Sequence, residues 1–148
     1  MINLFVSDTN ALISYFNTVF EVEPILSKKA TVIFDCAFAT SNDNIKLSIP
    51  SIVFVEIFEK WFVSEEFVRK FYYEVYTPII GSPNIEIKPI DQEVLENLIR
   101  IRGSLSKHEI NDKLILASAM MLNCPLITVD QNIISFVKEN DVLPSIVN

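Results

Sequence analysis

A three-layer α/β fold around a mostly parallel sheet is predicted by three features of the chain. Short apolar runs have strand length, helix-patterned segments separate them, and hydroxyl or acidic residues stand where helices must begin. Residues 2–7 are an apolar run without helical period, as expected of a strand covered on both faces. Asp8, Thr9 and Asn10 close that strand, and residues 11–16 resume as helix. Pro24 suits the first helical position, so a helix is expected over 25–40 even though Thr31, Val32 and Ile33 are β-branched. Residues 41–44 read as a loop and 45–49 as the second strand. Pro50 and Ser51 then open a helix with Ser51 as its N-cap, which puts Glu56 in the second turn.

Ser64 is placed to cap a further helix running to about residue 76, which the cluster Pro78, Gly81 and Pro83 should end. Residues 85–87 form a short strand. Asp91 caps a helix over 92–102, and Gly103 stands where a left-handed residue is wanted after it. Ser106 and Glu109 have the spacing of a capping box that starts a helix to about residue 122, with Asp112 one and a half turns in. Residues 126–129 form a strand closed by Asp130, a short helix follows to 137, and 142–147 offers a last strand. With no internal repeat and no linker, residues 1–148 are expected to fold as one domain.

Composition narrows the function. Half of the residues are apolar and the net charge is −7, which disfavours a protein that grips nucleic acid through a broad basic face. It leaves room for an enzyme that meets phosphate through bound cations. Gly81 and Gly103 are the only glycines, so neither a P-loop nor a glycine-rich dinucleotide turn can be built. Cys36, Cys124 and the single His108 supply no zinc-binding set, and the cysteines are expected to be reduced. The N-terminus lacks the positive start of a secretion signal, and no stretch approaches the roughly 20 apolar residues of a membrane span. A soluble, cytoplasmic protein is expected.

Ligands of open α/β sheets bind beyond the carboxyl ends of the strands, so acids that follow strands carry most weight. Asp8 and Asp130 both do, and the helix bearing Glu56 starts at the same edge. Asp112 precedes Ile115, Leu116 and Ala119 by three, four and seven residues, which places a carboxylate on a core-facing stripe. Such a carboxylate is costly unless paired or bound to metal.

Several segments together resemble a known family. The opening Val6-Ser7-Asp8-Thr9-Asn10-Ala11-Leu12-Ile13 is similar to the first motif of the PIN domain, and specifically of VapC-type toxins from bacterial toxin-antitoxin pairs. The stretch from Ile49 to Glu56 resembles the second motif. Residues 109–119, followed by Cys124-Pro125-Leu126-Ile127-Thr128-Val129-Asp130, supply the third and fourth acids at the family's spacing. Two positions depart from it: Asn111 stands where many relatives carry His, and Asn123 where they often have Gly.

The resemblance implies that Asp8, Glu56, Asp112 and Asp130 gather around Mg²⁺ or Mn²⁺, hard cations that prefer oxygen ligands. It implies an endoribonuclease that cuts RNA to leave a 5′-phosphate, with an antitoxin protein as partner and a homodimer as one possible assembly. Asn10 and Thr128 flank the acids and are expected either to orient them or to cap backbone groups.

Blander roles compete at each position. A lone Asp after a strand is commonly a cap or turn residue, and it is the four in register that point to metal. Glu109 is explained by the capping box or a pair with Lys113, and His108 by an exposed helix turn. Arg100, Arg102, Lys107 and Lys113 crowd the approach to Asp112, as phosphate contacts or as a solvated helix end. The aromatic series from Phe54 through Phe58, Trp61, Phe62, Phe67, Phe71, Tyr72 and Tyr73 to Tyr76 is assigned mainly to core packing, with a dimer or partner groove as the alternative. The rival function is a catalytically silent PIN-fold binding module. A response-regulator receiver or aspartate-based phosphatase is excluded, since Asn10 stands where the phosphatase needs a second Asp and the receiver pattern is not met.

Overall fold

The structure, a computed structural model, describes residues 3–39, 44–101, 110–139 and 145–148. Five parallel strands form one sheet in the order β3-β2-β1-β4-β5. These are β1 (Asn3–Ser7), β2 (Ile45–Pro50), β3 (Ile85–Lys88), β4 (Leu126–Ile127) and β5 (Ile146–Val147). Successive strand residues point to opposite faces. Both Val6 and Ser7 on β1, the run Leu47, Ser48 and Ile49 on β2, and both residues of β4 are nevertheless fully buried. The sheet is therefore covered on both faces, as the layered α/β expectation requires.

The connections are helical: α1 (Thr9–Tyr15), α2 (Asn17–Phe20) and α3 (Lys28–Phe38) lie between β1 and β2, then α4 (Ser51–Trp61), α5 (Glu65–Phe71) and α6 (Thr77–Gly81) before β3. They are followed by α7 (Gln92–Arg100) and α8 (Ile110–Leu122) before β4, and α9 (Gln131–Glu139) before β5. One continuous apolar core, with Phe34, Leu12, Leu47 and Leu116 at its centre, joins the layers. The strand order runs outward from β1 in two directions, so a crevice opens between the carboxyl ends of β1 and β4.

Several boundaries differ from expectation for local reasons. The helix after β1 begins at Thr9, because Asp8 is its N-cap and accepts from the Ala11 N–H. Pro24 stands outside α3, whose start is set by Ser27 accepting from the Ala30 N–H. Pro50 occupies the cap position of α4 and Ser51 is its first helical residue, so no side chain caps that helix. Pro78 does not end the helical run, because α5 passes into a π-helical turn, Tyr72–Tyr76, and α6 begins immediately after it. The Tyr72 carbonyl accepts from the Thr77 N–H and, at 2.8 Å, from Thr77 Oγ1, so Pro78 falls in a first turn where its missing N–H is harmless. β4 is shorter than the expected 126–129, and α7 ends at Arg100. Gly103, the capping box at Ser106 and Glu109, most of the 41–44 loop and the start of the last strand lie outside the described residues.

Asn123 has φ 50°, the left-handed conformation that Asn tolerates, and Glu21, the cap after α2, has φ 55°. A non-glycine residue in that region is strained by about 1–2 kcal/mol, partly offset for Gly by its greater freedom in the unfolded chain. Glu21→Gly should therefore stabilise the protein by roughly 0.5–1 kcal/mol, read as a higher urea midpoint at unchanged slope. A lower midpoint would show that the glutamate side chain contributes something at that turn.

Candidate active site

The crevice is built from side chains that secondary structure places at its rim. Asp8 follows β1 directly and is 3% exposed. Its Oδ1 accepts from the Ala11 N–H at 2.7 Å, at the head of α1. Its Oδ2 accepts from Thr128 Oγ1, whose residue lies one step past β4 and is fully buried. The pairing of Ser7 with Ile127 sets this contact, since it brings the next residues, Asp8 and Thr128, side by side. Thr128 Oγ1 also accepts from the Asp130 N–H at 3.0 Å, so one hydroxyl fixes both acids of the crevice.

Asp130 Oδ1 accepts from the N–H groups of Asn132 and Ile133 at 2.9 and 3.2 Å, at the start of α9. Both strand-end aspartates thus serve as helix caps, as the blander role anticipated. The caps use only part of their acceptor capacity, because a carboxylate has about four lone-pair sites. Glu56, on the buried side of α4, is 6% exposed and accepts from Thr9 Oγ1 at 2.6 Å. Lys60, one turn on, holds Nζ 3.8 Å from Glu56 Oε2. Asp112 lies half-buried in the first turn of α8. A helix that leads into a parallel strand runs antiparallel to it, so the beginning of α8 belongs at the same sheet edge as the ends of β1 and β4.

Asp8, Glu56, Asp112 and Asp130 line a single open cavity of about 640 Å³, with Asn10 exposed at its rim. Burial pushes the Asp8 carboxyl up to about 7; the Thr128 and Ala11 hydrogen bonds oppose this, and the charges of Asp130 and Asp112 add to it. Those two acids therefore act on Asp8 electrostatically. Among the described residues no three His, Cys, Asp or Glu side chains are drawn together tightly enough to hold an ion as they stand. The donor set nevertheless suits a hard divalent cation, being carboxylate oxygen alone, with a buried member, Asp8, on which two charges of its own sign act.

Arg100 and Lys113 do not line this cavity, and Arg102, Lys107, His108 and Glu109 lie outside the described residues. Two contributors are new. Lys60 had a readable signal, its i+4 spacing from Glu56; Thr9 had none, because its partner lies 47 residues away. Cys36 is half-buried and Cys124 buried, and both are free thiols. Most of the aromatic series packs together: Phe20 meets Trp61 edge-on at 5.0 Å, and Phe62 meets Phe71 at 5.4 Å. Tyr72 and Tyr73 remain exposed.

An acidic crevice at the switch point of a parallel sheet defines an α/β domain with one polar site fed from both halves of the chain. The PIN domain profile matches residues 5–139, and the chain belongs to the PIN-domain family. No curated protein matches the sequence significantly. Solved structures share the fold at low identity. VapBC2 from Rickettsia felis, crystallised with a promoter DNA fragment, is 17% identical with a TM-score of 0.65, over 97% of this chain and 96% of that one. A toxin-antitoxin complex from Klebsiella pneumoniae is 22% identical with a TM-score of 0.55, over 99% and 96%. VapBC-5 of the VapBC toxin-antitoxin family, from Mycobacterium tuberculosis, is 15% identical with a TM-score of 0.60, over 98% of each. Among the described residues no helix is long and apolar enough to cross a membrane.

Two measurements check this geometry. A carboxyl with a raised folded-state pKa takes up a proton on folding between its unfolded value of about 4 and its folded value, so it lowers stability as pH rises through that window. In EDTA, the stability of wild type relative to Asp8→Asn should therefore fall from about pH 4 to about pH 7 and level off above. A constant difference across that window would place Asp8 in water. Thr128→Val keeps the shape but strips the hydroxyl from Asp8 and from the Asp130 N–H. It should destabilise the fold by about 1–3 kcal/mol in urea, against no change if the hydroxyl were idle.

Proposed function

We propose that this PIN-domain protein is a metal-dependent endoribonuclease, with Asp8, Glu56, Asp112 and Asp130 holding Mg²⁺ or Mn²⁺. The observation that carries this is the shared cavity: acids from positions 8 to 130, on four different elements, face the same space. A bound divalent ion would supply an activated water and charge neutralisation at a phosphodiester. The chain's own residues do the positioning. Asp8 is held from two sides by Ala11 and Thr128, Thr9 orients Glu56, and the head of α9 orients Asp130. These contacts restrain three of the four carboxylates, which an ion would still have to draw together.

The silent binding module is the weaker alternative. A buried Asp8 that feels two like charges is an expense to folding that a pure scaffold has no reason to keep. The similar folds from Klebsiella and Mycobacterium are described as toxin-antitoxin proteins, which supports a toxin role with an antitoxin partner here, and self-association as a further property to test. A soluble, cytoplasmic setting fits that role.

Purified protein incubated with a mixed RNA pool should cleave it with Mg²⁺ or Mn²⁺ and not with EDTA, leaving 5′-phosphate ends. Removing a ligand's mere support typically lowers metal affinity or activity about 10–100-fold, so Asp112→Asn should lose more than about 100-fold in cleavage. In EDTA the variant should melt no lower than wild type, while the stabilisation that Mn²⁺ gives, about 2.7 kcal/mol at a hundredfold excess over Kd, should largely vanish. Equal Mn²⁺ stabilisation of the two proteins would sink the metal assignment.

A further inference from the structure

Part of the aromatic series is left over from the core and collects on one outer face. Phe62, Val63, Val68, Tyr72 and Tyr73 line a groove of about 740 Å³ that shares no lining residue with the acidic crevice. Val63 is 84% exposed, Tyr72 51% and Tyr73 65%, although apolar and aromatic surface gains by leaving water. The π-helical turn contributes to this, since Phe71 and Val75 are buried while the three residues between them, Tyr72, Tyr73 and Glu74, are all exposed. Turns of that kind are frequent at functional sites. The face is braced from behind: the Phe62 ring lies 4.7 Å from Phe58 and packs on Phe71, and Tyr72 stacks on Tyr76 at 6.0 Å. A partner would therefore meet a surface that loses little entropy on binding.

We infer that this face binds a second copy of the chain, as an antiparallel pair of α5 helices about a two-fold axis close to Val68. A two-fold interface uses the same patch on both subunits, so the patch must be complementary to itself. The charges of α5 meet that condition. Its first turn carries Glu65 and Glu66, and its last turn Arg69 and Lys70. Set antiparallel, the acidic head of each α5 lies against the basic tail of the other, and Val68 meets its own copy at the centre. Tyr72 and Tyr73, which follow the tail, then reach across to Phe62 and Val63, which precede the head. The result is an apolar and aromatic middle with charge pairs at its edges, the common plan of protein interfaces. Among the described residues neither Glu65 nor Arg69 is in an ion pair, so both charges are open to the partner's. Glu65, Glu66 and Glu74 on the same exposed segment disfavour nucleic acid as the occupant. The inference gives self-association a definite face and does not depend on the nuclease reading.

Sedimentation equilibrium of the full chain in EDTA, without RNA, tests the pairing. Wild type should dimerise with a Kd of about 1–100 μM, because a patch built on one short helix stands at the small end of specific interfaces. Arg69→Glu sets like charges face to face at two places and should raise Kd at least about tenfold. Combining it with Glu65→Arg restores opposite signs across the axis, and should bring Kd back to within about threefold of wild type. Tyr73→Ser should raise Kd at least about tenfold. Ile99→Ser, at a position 80% exposed on α7, should leave it unchanged. All of these positions are exposed, so each variant should keep the circular dichroism spectrum of wild type. A wild type that stays monomeric at about 0.5 mM overturns the inference. So does a dimer that survives both Arg69→Glu and Tyr73→Ser, one that the double variant fails to restore, or one that Ile99→Ser dissociates. The nuclease reading survives any of these results.

Discussion

The hydrogen bond from Thr128 to Asp8 is the constraint on which the rest of the site depends. It spans 120 positions of sequence and forms only if β4 has docked beside β1 in the observed register. A slip of one residue would carry Thr128 to the other face and leave the buried Asp8 without that donor. The charges that act on Asp8 come from Asp112 and Asp130, both of its own sign. Folding therefore holds a carboxyl group, its pKa pushed up to about 7, in a buried and negative place by directional bonds. Such an arrangement is unfavourable as architecture and sensible as the receiving half of an ion site.

The topology explains why these particular elements contribute. Strand order reverses at β1, so the loops after β1 and β4 part company and leave a crevice between them. Glu56 arrives because α4 leaves the sheet at the neighbouring edge of β2, and Asp112 because α8 must return to the opposite edge to enter β4 and so begins here. The anchoring is local in each case: a helix start for Asp8 and Asp130, a threonine hydroxyl for Glu56.

Much of this was legible in the sequence, for identifiable reasons. Strands buried on both faces read as apolar runs, and Ser64 and Asp91 announced their helices because capping is a short-range interaction. The four acids were legible as a set through the spacing of residues 109–130 and the motifs around Asp8 and Glu56. What escaped was of two kinds, local choices between rival signals and contacts decided at long range. The position of α3 depended on Ser27 rather than Pro24, since a proline permits a helix start without donating anything to it. The cluster Pro78, Gly81 and Pro83 does end the helical run, but at Gly81 rather than at about residue 76, since the π-helical turn that aims the Tyr72 carbonyl at Thr77 has no sequence period of its own. Thr9 as the partner of Glu56 depends on how α1 and α4 pack, which no local pattern encodes.

The charge of the chain fits the character of its site. A net charge of −7 disfavours holding a polyanion by a broad surface, so counterion release from many phosphates would add little to such binding. On the proposed reading attraction would centre on the cavity, where cations on the acids would reverse the local sign and the largely exposed Lys60 adds a positive charge. Binding concentrated in that way would be set more by the shape and chemistry of one pocket than by the length of nucleic acid presented. On the proposed reading the metal-free protein would also bind RNA poorly, because the carboxylates would repel phosphate until an ion is present. Metal and substrate would then bind cooperatively, because each would lower the electrostatic cost of placing the other.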